Sequence, residues 1–144
     1  MQWEVTNEGD DMMYFSIGGH PAFNVPVFES EKKTDYYITF GGEKTLKYVC
    51  IDLSCAAADF ENPKTLVLDD NKLKITENMF DQDALVFDEH EVKKVGIAFP
   101  DGSPYVTMTC EQIPSFGVWS MPMPETPFVC LEPWIGRCDN VGFE

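Results

Sequence analysis

The chain has 144 residues, of which 10 are Lys or Arg and 25 are Asp or Glu, so its formal net charge is 10 − 25 = −15. Phosphate backbones and anionic lipid are bound by clustered cations, and none cluster here, which excludes nucleic acid and anionic membrane as partners. At 44% hydrophobic and 13% aromatic residues the chain can bury a core, so it is not a disordered segment despite its charge.

The 10 glycines and 10 prolines are spread along the sequence and cut it into pieces too short for long helices. Residues 1–7 have the composition of a strand interior. Strands are predicted over 12–17, 36–40, 47–52, 65–68, 72–76, 92–99, 105–110, 116–120 and 128–131, each rich in β-branched or aromatic residues. Residues 54–60 offer the best periodicity for a short turn of helix. Asp69-Asp70-Asn71, between Leu66 and Leu68 on one side and Leu73 and Ile75 on the other, predicts a hairpin. Pro100-Asp101-Gly102-Ser103 predicts a second and clearer one. Many short strands with turns between them predict an all-β fold, an antiparallel β-sandwich or barrel.

No run reaches the roughly 20 apolar residues of a membrane-spanning helix. Glu4, Glu8, Asp10 and Asp11 stand where a signal peptide would be apolar. The five cysteines, Cys50, Cys55, Cys110, Cys130 and Cys138, include no Cys-x-x-Cys pair and no zinc-type spacing to a histidine. They read as free thiols of a cytoplasmic protein, with no metal or cofactor expected.

Only two histidines are present. His90, in Asp88-Glu89-His90-Glu91, reads as part of an exposed turn. His20 lies in Gly18-Gly19-His20-Pro21-Ala22-Phe23-Asn24-Val25-Pro26, where glycines permit close backbone approach and prolines restrict the path around a single imidazole. Such a loop suits an acid/base residue, and equally a histidine satisfied by hydrogen bonds in a tight turn. Glu132, in Cys130-Leu131-Glu132-Pro133-Trp134-Ile135-Gly136-Arg137, follows the apolar run 128–131. It is predicted to emerge at a strand end, where residue type alone favours a surface glutamate.

Taken together, residues 14–24 and 131–137 resemble the two signature segments of the aldose 1-epimerase (galactose mutarotase-like) family, and within it the bacterial LacX-like branch. The resemblance spans nearly the whole chain but only about the later half of the family pattern. The family's first half, with an arginine and a second histidine that contact the sugar, has no counterpart here, so residues 1–144 are expected to be a fragment of a longer domain. The resemblance implies a β-supersandwich, present in part, and interconversion of the α and β anomers of a free aldose. It assigns His20 as general acid and Glu132 as general base, a pair able to open and close a pyranose without metal or cofactor. It places a substrate-binding carboxylate on Asp83, with Asp81 as the competing choice. Trp119 and Trp134 are available to stack on a sugar face or to serve as ordinary packing. Gly117 stands where the best-known mutarotases carry a glutamine toward the sugar. The alternatives are a carbohydrate-binding β-sandwich without turnover and a purely structural or interaction sandwich.

Overall fold

A computed structural model of the chain describes residues 4–109, 111–123 and 125–143, and these are nearly all β, with 39% strand and 2% helix. In chain order the strands are β1 (Ile17–Gly18), β2 (Ala22–Asn24), β3 (Tyr37–Phe40), β4 (Thr45–Tyr48), β5 (Ile51–Asp52), β6 (Ala57–Ala58) and β7 (Lys64–Val67). They continue with β8 (Lys72–Lys74), β9 (Leu85–Phe87), β10 (Lys94–Ala98), β11 (Pro104–Thr109), β12 (Ser115–Trp119) and β13 (Phe128–Ile135). A 3-10 turn at Lys33–Asp35 precedes β3. No helix among the described residues is long and apolar enough to cross a membrane.

Five strands form one antiparallel sheet in the order β1-β13-β12-β9, with β2 also on β13, and four form a second in the order β11-β10-β3-β8. The apolar positions explain why the two sheets pack. Ile38, Phe40, Val95 and Ile97 of the second sheet meet Leu85, Phe87, Phe116, Val118, Val129 and Leu131 of the first in one buried cluster. The Phe40 and Phe87 rings, one from each sheet, lie 5.6 Å apart. Each such side chain fully buried contributes roughly 1.5–3 kcal/mol of transfer free energy. A second, smaller cluster of Val49, Ala58, Ala84 and Val86, packed by Trp119 and Trp134, covers the opposite face of the five-stranded sheet. This is why β9 and the middle of β13 are buried on both sides.

The second predicted hairpin is present: β10 and β11 pair antiparallel, and Asp101 Oδ1 accepts from both the N–H (2.8 Å) and the hydroxyl (2.6 Å) of Ser103. The first is a turn without a hairpin. Asp69 and Lys72 exchange backbone hydrogen bonds around Asp70 and Asn71, both at positive φ, as a type I′ turn requires. The flanking strands then part, β7 pairing with β4 and β8 with β3, because each finds a longer ladder in a different sheet.

The helical turn expected over 54–60 is absent. Asp52 Oδ1 accepts from the N–H and hydroxyl of Ser54, closing a turn that returns the chain as β6 against β5. The strand expected over 12–17 shrinks to β1, because only Ile17 and Gly18 reach a partner, on β13. Met12, Tyr14 and Phe15 are exposed, and residues 4–7 join no strand. Residues 1–3 and Cys110 lie outside the described residues. The strand over 47–52 breaks into β4 and β5, with Val49 bridging to Val86. Strands β2 and β9 were not expected: β2 is confined between prolines, and Leu85–Phe87 is uniformly apolar and too short to show alternation.

Candidate functional site

Strands β1 and β2 lie along the same edge of β13, and the residues between them bring the site together. Gly18 stands opposite Trp134 and Ala22 opposite Cys130. Stepping two residues inward from either end places His20 opposite Glu132. The loop keeps to this register: Gly19 N–H donates to the Pro133 carbonyl (2.9 Å) and Leu131 N–H to that of Pro21 (3.2 Å). On the other flank of β13, Gly117 faces Glu132, and Val86 faces Gly117. A single row therefore runs Val86, Gly117, Glu132, His20 across the sheet.

Within that row His20 Nδ1 and Glu132 Oε2 are 3.1 Å apart, with the imidazole 60% exposed and the carboxyl 5% exposed. Glu132 is thus buried in a strand that continues to Ile135, which corrects the expectation of a surface glutamate at a strand end. The extension past Pro133 is possible because the ladder there rests on the proline's carbonyl, the acceptor for Gly19. Glu132 Oε1 is buried without a hydrogen-bond partner. Burial, followed by the charge of Asp83, pushes the Glu132 carboxyl up to about 7. A carboxyl raised that far can exchange a proton near neutrality.

Of the other candidate residues, Trp119 touches this pair. The Trp119 ring meets His20 edge-on with centroids 5.7 Å apart, and it also contacts Phe128. Trp134 lies across Gly117, where an added Cβ would sit 2.6 Å from Cζ2 of the indole. Glycine is needed there, because the Trp134 indole fills the space that a side chain at 117 would take. Asp83 is exposed at φ 64°, with Oδ1 accepting from Ala84 N–H at 2.7 Å. Of Asp83 and Asp81, Asp83 is the one whose charge acts on Glu132. His90 lies on an exposed turn, its N–H donating to the Pro114 carbonyl. Arg137 is engaged elsewhere: its Nε donates to Asp88 Oδ2 (2.6 Å), and its guanidinium lies over the Phe60 ring at 3.9 Å.

No protein-family model matches the chain. It is 29% identical to the plasmid and chromosomal LacX proteins of Lactococcus lactis subsp. lactis, over 94% of this chain and 45% of each of theirs. It superposes on a galactose mutarotase related enzyme from Lactobacillus acidophilus with a TM-score of 0.75 at 28% identity, over 90% of this chain and 43% of that one. These matches make the chain similar to galactose mutarotase-like, LacX-like proteins. A galactose mutarotase-like protein from Lactobacillus casei shares the fold, with a TM-score of 0.67 at 24% identity, over 90% of this chain and 44% of that one. The LacX-like chain spans less than half the length of the relatives it matches.

One further residue borders this candidate site. Cys130 lies two positions before Glu132 on β13 and shares its face. The Cys130 thiol, pushed up to about 11 by burial and then by the Glu132 charge, lies beside the pair. The period-two spacing of Cys130 and Glu132 was the available signal, but it has meaning only once β13 is known to run through Glu132.

Proposed function

We propose that this chain carries the acid/base half of an aldose 1-epimerase-type isomerase, in which Glu132 is the base and His20 the acid. The apposition of His20 and Glu132 in one row, 3.1 Å apart, supports the reading most strongly. In a pyranose the anomeric hydroxyl and the ring oxygen are attached to the same carbon. An acid and a base serving both must therefore be close neighbours, which this pair is.

Glu132 accepts the proton of the anomeric hydroxyl, the C1–O5 bond breaks as C1=O forms, and His20 delivers a proton to O5. The aldehyde carbon turns about C1–C2. O5 then attacks the opposite face, returns its proton to His20, and the new anomeric oxygen takes back the proton held by Glu132. Oε2, on the side of the exposed His20, is the oxygen placed to receive the substrate proton, whereas Oε1 is buried. A carboxyl raised to about 7 is a stronger base than an ordinary glutamate and still ionises at neutral pH. Asp83 accepts sugar hydroxyl hydrogen bonds, and Trp119, beside His20, offers an apolar face to the ring. The substrate is a neutral free aldose, and the free thiols of the four described cysteines suit a reducing cytoplasm.

The test is NMR or polarimetry of freshly dissolved α-glucose and α-galactose with the chain present. Faster approach to anomeric equilibrium, abolished by Glu132→Gln and by His20→Asn, is the expected result. Sugar-dependent shifts without acceleration would replace the isomerase with a carbohydrate-binding module, and the absence of both would end the sugar assignment.

A further inference from the structure

The acid/base reading leaves Cys130 without a role, although it borders the pair directly. Alternation along β13 puts Cys130 and Glu132 on one face, and the neighbouring edge supplies His20 opposite Glu132. His20 Nδ1, Cys130 Sγ and a Glu132 carboxylate oxygen all lie within 4.8 Å of one another. Zinc bonds of about 2.0–2.3 Å to nitrogen, oxygen and sulfur place the ligand atoms of a tetrahedral site about 3.5 Å apart. The triangle therefore closes on an ion with a shift of roughly 1 Å, and the exposed His20 side chain is free to make it.

Two further observations point the same way. Glu132 Oε1 is a buried carboxylate oxygen without a partner, an arrangement that a cation would satisfy. Asp83 adds a second negative charge that acts on Glu132, and among the described residues no Lys or Arg forms an ion pair with either carboxylate. The mix of imidazole, thiolate and carboxylate suits zinc and disfavours magnesium or calcium, which take oxygen ligands.

We propose that His20, Cys130 and Glu132 form a three-donor zinc site, entered from the exposed His20 side, with the fourth position open to water. Binding expels the Cys130 thiol proton and any proton shared by His20 and Glu132, leaving thiolate, neutral imidazole and carboxylate on the ion. Zinc would then occupy the two groups assigned to proton transfer and act as a reversible inhibitor, a consequence that rests on the isomerase reading whereas the binding itself does not.

The experiment titrates the metal-free 144-residue chain with Zn2+ against a chromogenic chelator, and separately with Co2+ followed by absorption. One Zn2+ per chain is expected, weakened at least about tenfold by His20→Ala and by Cys130→Ala, together with a thiolate-to-cobalt charge-transfer band that Cys130→Ala removes. His20 is a surface side chain, so His20→Ala reports on the site even if Cys130→Ala fails to fold. Absence of stoichiometric zinc binding, affinity unchanged in His20→Ala, or a cobalt spectrum without thiolate character would each overturn the site. Zinc binding without anomer turnover would leave the metal site standing and remove the isomerase, and turnover by a chain that ignores zinc would do the reverse.

Discussion

Replacing Glu132 with Gln should stabilise the protein while removing the base. The native carboxyl titrates near 7 against an ordinary 4.5, chiefly because burial disfavours its charge. A raised carboxyl pKa means the native state holds a proton that the unfolded chain has released, so stability falls as pH rises from about 4.5 to about 7. Below that window both states are protonated and nothing is lost; above it the full penalty applies. A difference of about 2.5 units corresponds to about 3 kcal/mol. Glutamine stays neutral throughout, so the Glu132→Gln advantage should be absent near about pH 4 and reach roughly 1–3 kcal/mol near about pH 8, the lower end allowing for imperfect amide hydrogen bonding. For a chain of this size that is a rise of several degrees in Tm. Urea denaturation of both proteins followed by circular dichroism across that range, with a chelator present, measures it. A difference that does not change with pH, or a variant less stable than wild type at the alkaline end, would refute the claim that Glu132 is a buried and poorly compensated carboxylate.

Gly117→Ala should destabilise by about 1–3 kcal/mol, because the new methyl meets the Trp134 indole; the urea midpoint and a shift in tryptophan emission report it together. Arg137→Ala should lower stability by about 1–3 kcal/mol by leaving the half-buried Asp88 carboxylate with only Ser115 as its side-chain partner. Burial alone would raise Asp88, but its bonds to Arg137 and Ser115 outweigh that and hold it below the usual carboxylate range. This stabilisation is present above the unfolded-state pKa and is lost as pH falls through the depressed native value. The gap between wild type and Arg137→Ala in urea melts should therefore narrow on acidification, and a gap that widens would contradict the assignment.

Local physics was readable where it acted locally. The Asp101-Gly102-Ser103 turn is closed by a side chain two residues from its partner, and the cores of β3 and β12 lie inside the predicted strands because their residue types suit a half-buried or buried pleat. Asp69 to Lys72 shows the limit. The turn chemistry was correct, yet the strands it joins belong to different sheets, a choice made by partners far away in the chain. Glu132 shows it again: nothing near it in sequence announces that β13 continues through Pro133, that a second apolar cluster buries this face, or that Cys130 shares it.

The sequence by itself determined the all-β class, the turns at 69–72 and 100–103 and the two segments that resemble the mutarotase family, since strand propensity, Gly and Pro punctuation and residue identity are properties of short windows. Only the tertiary structure decided that β1 and β2 lie in one register along β13, and so that His20 faces Glu132. It also decided that Glu132 is desolvated and that the charge of Asp83 acts on it, which together raise its proton affinity. Register and burial are set by the summed packing of residues distant in the chain, and an ionisable group takes its chemistry from what surrounds it.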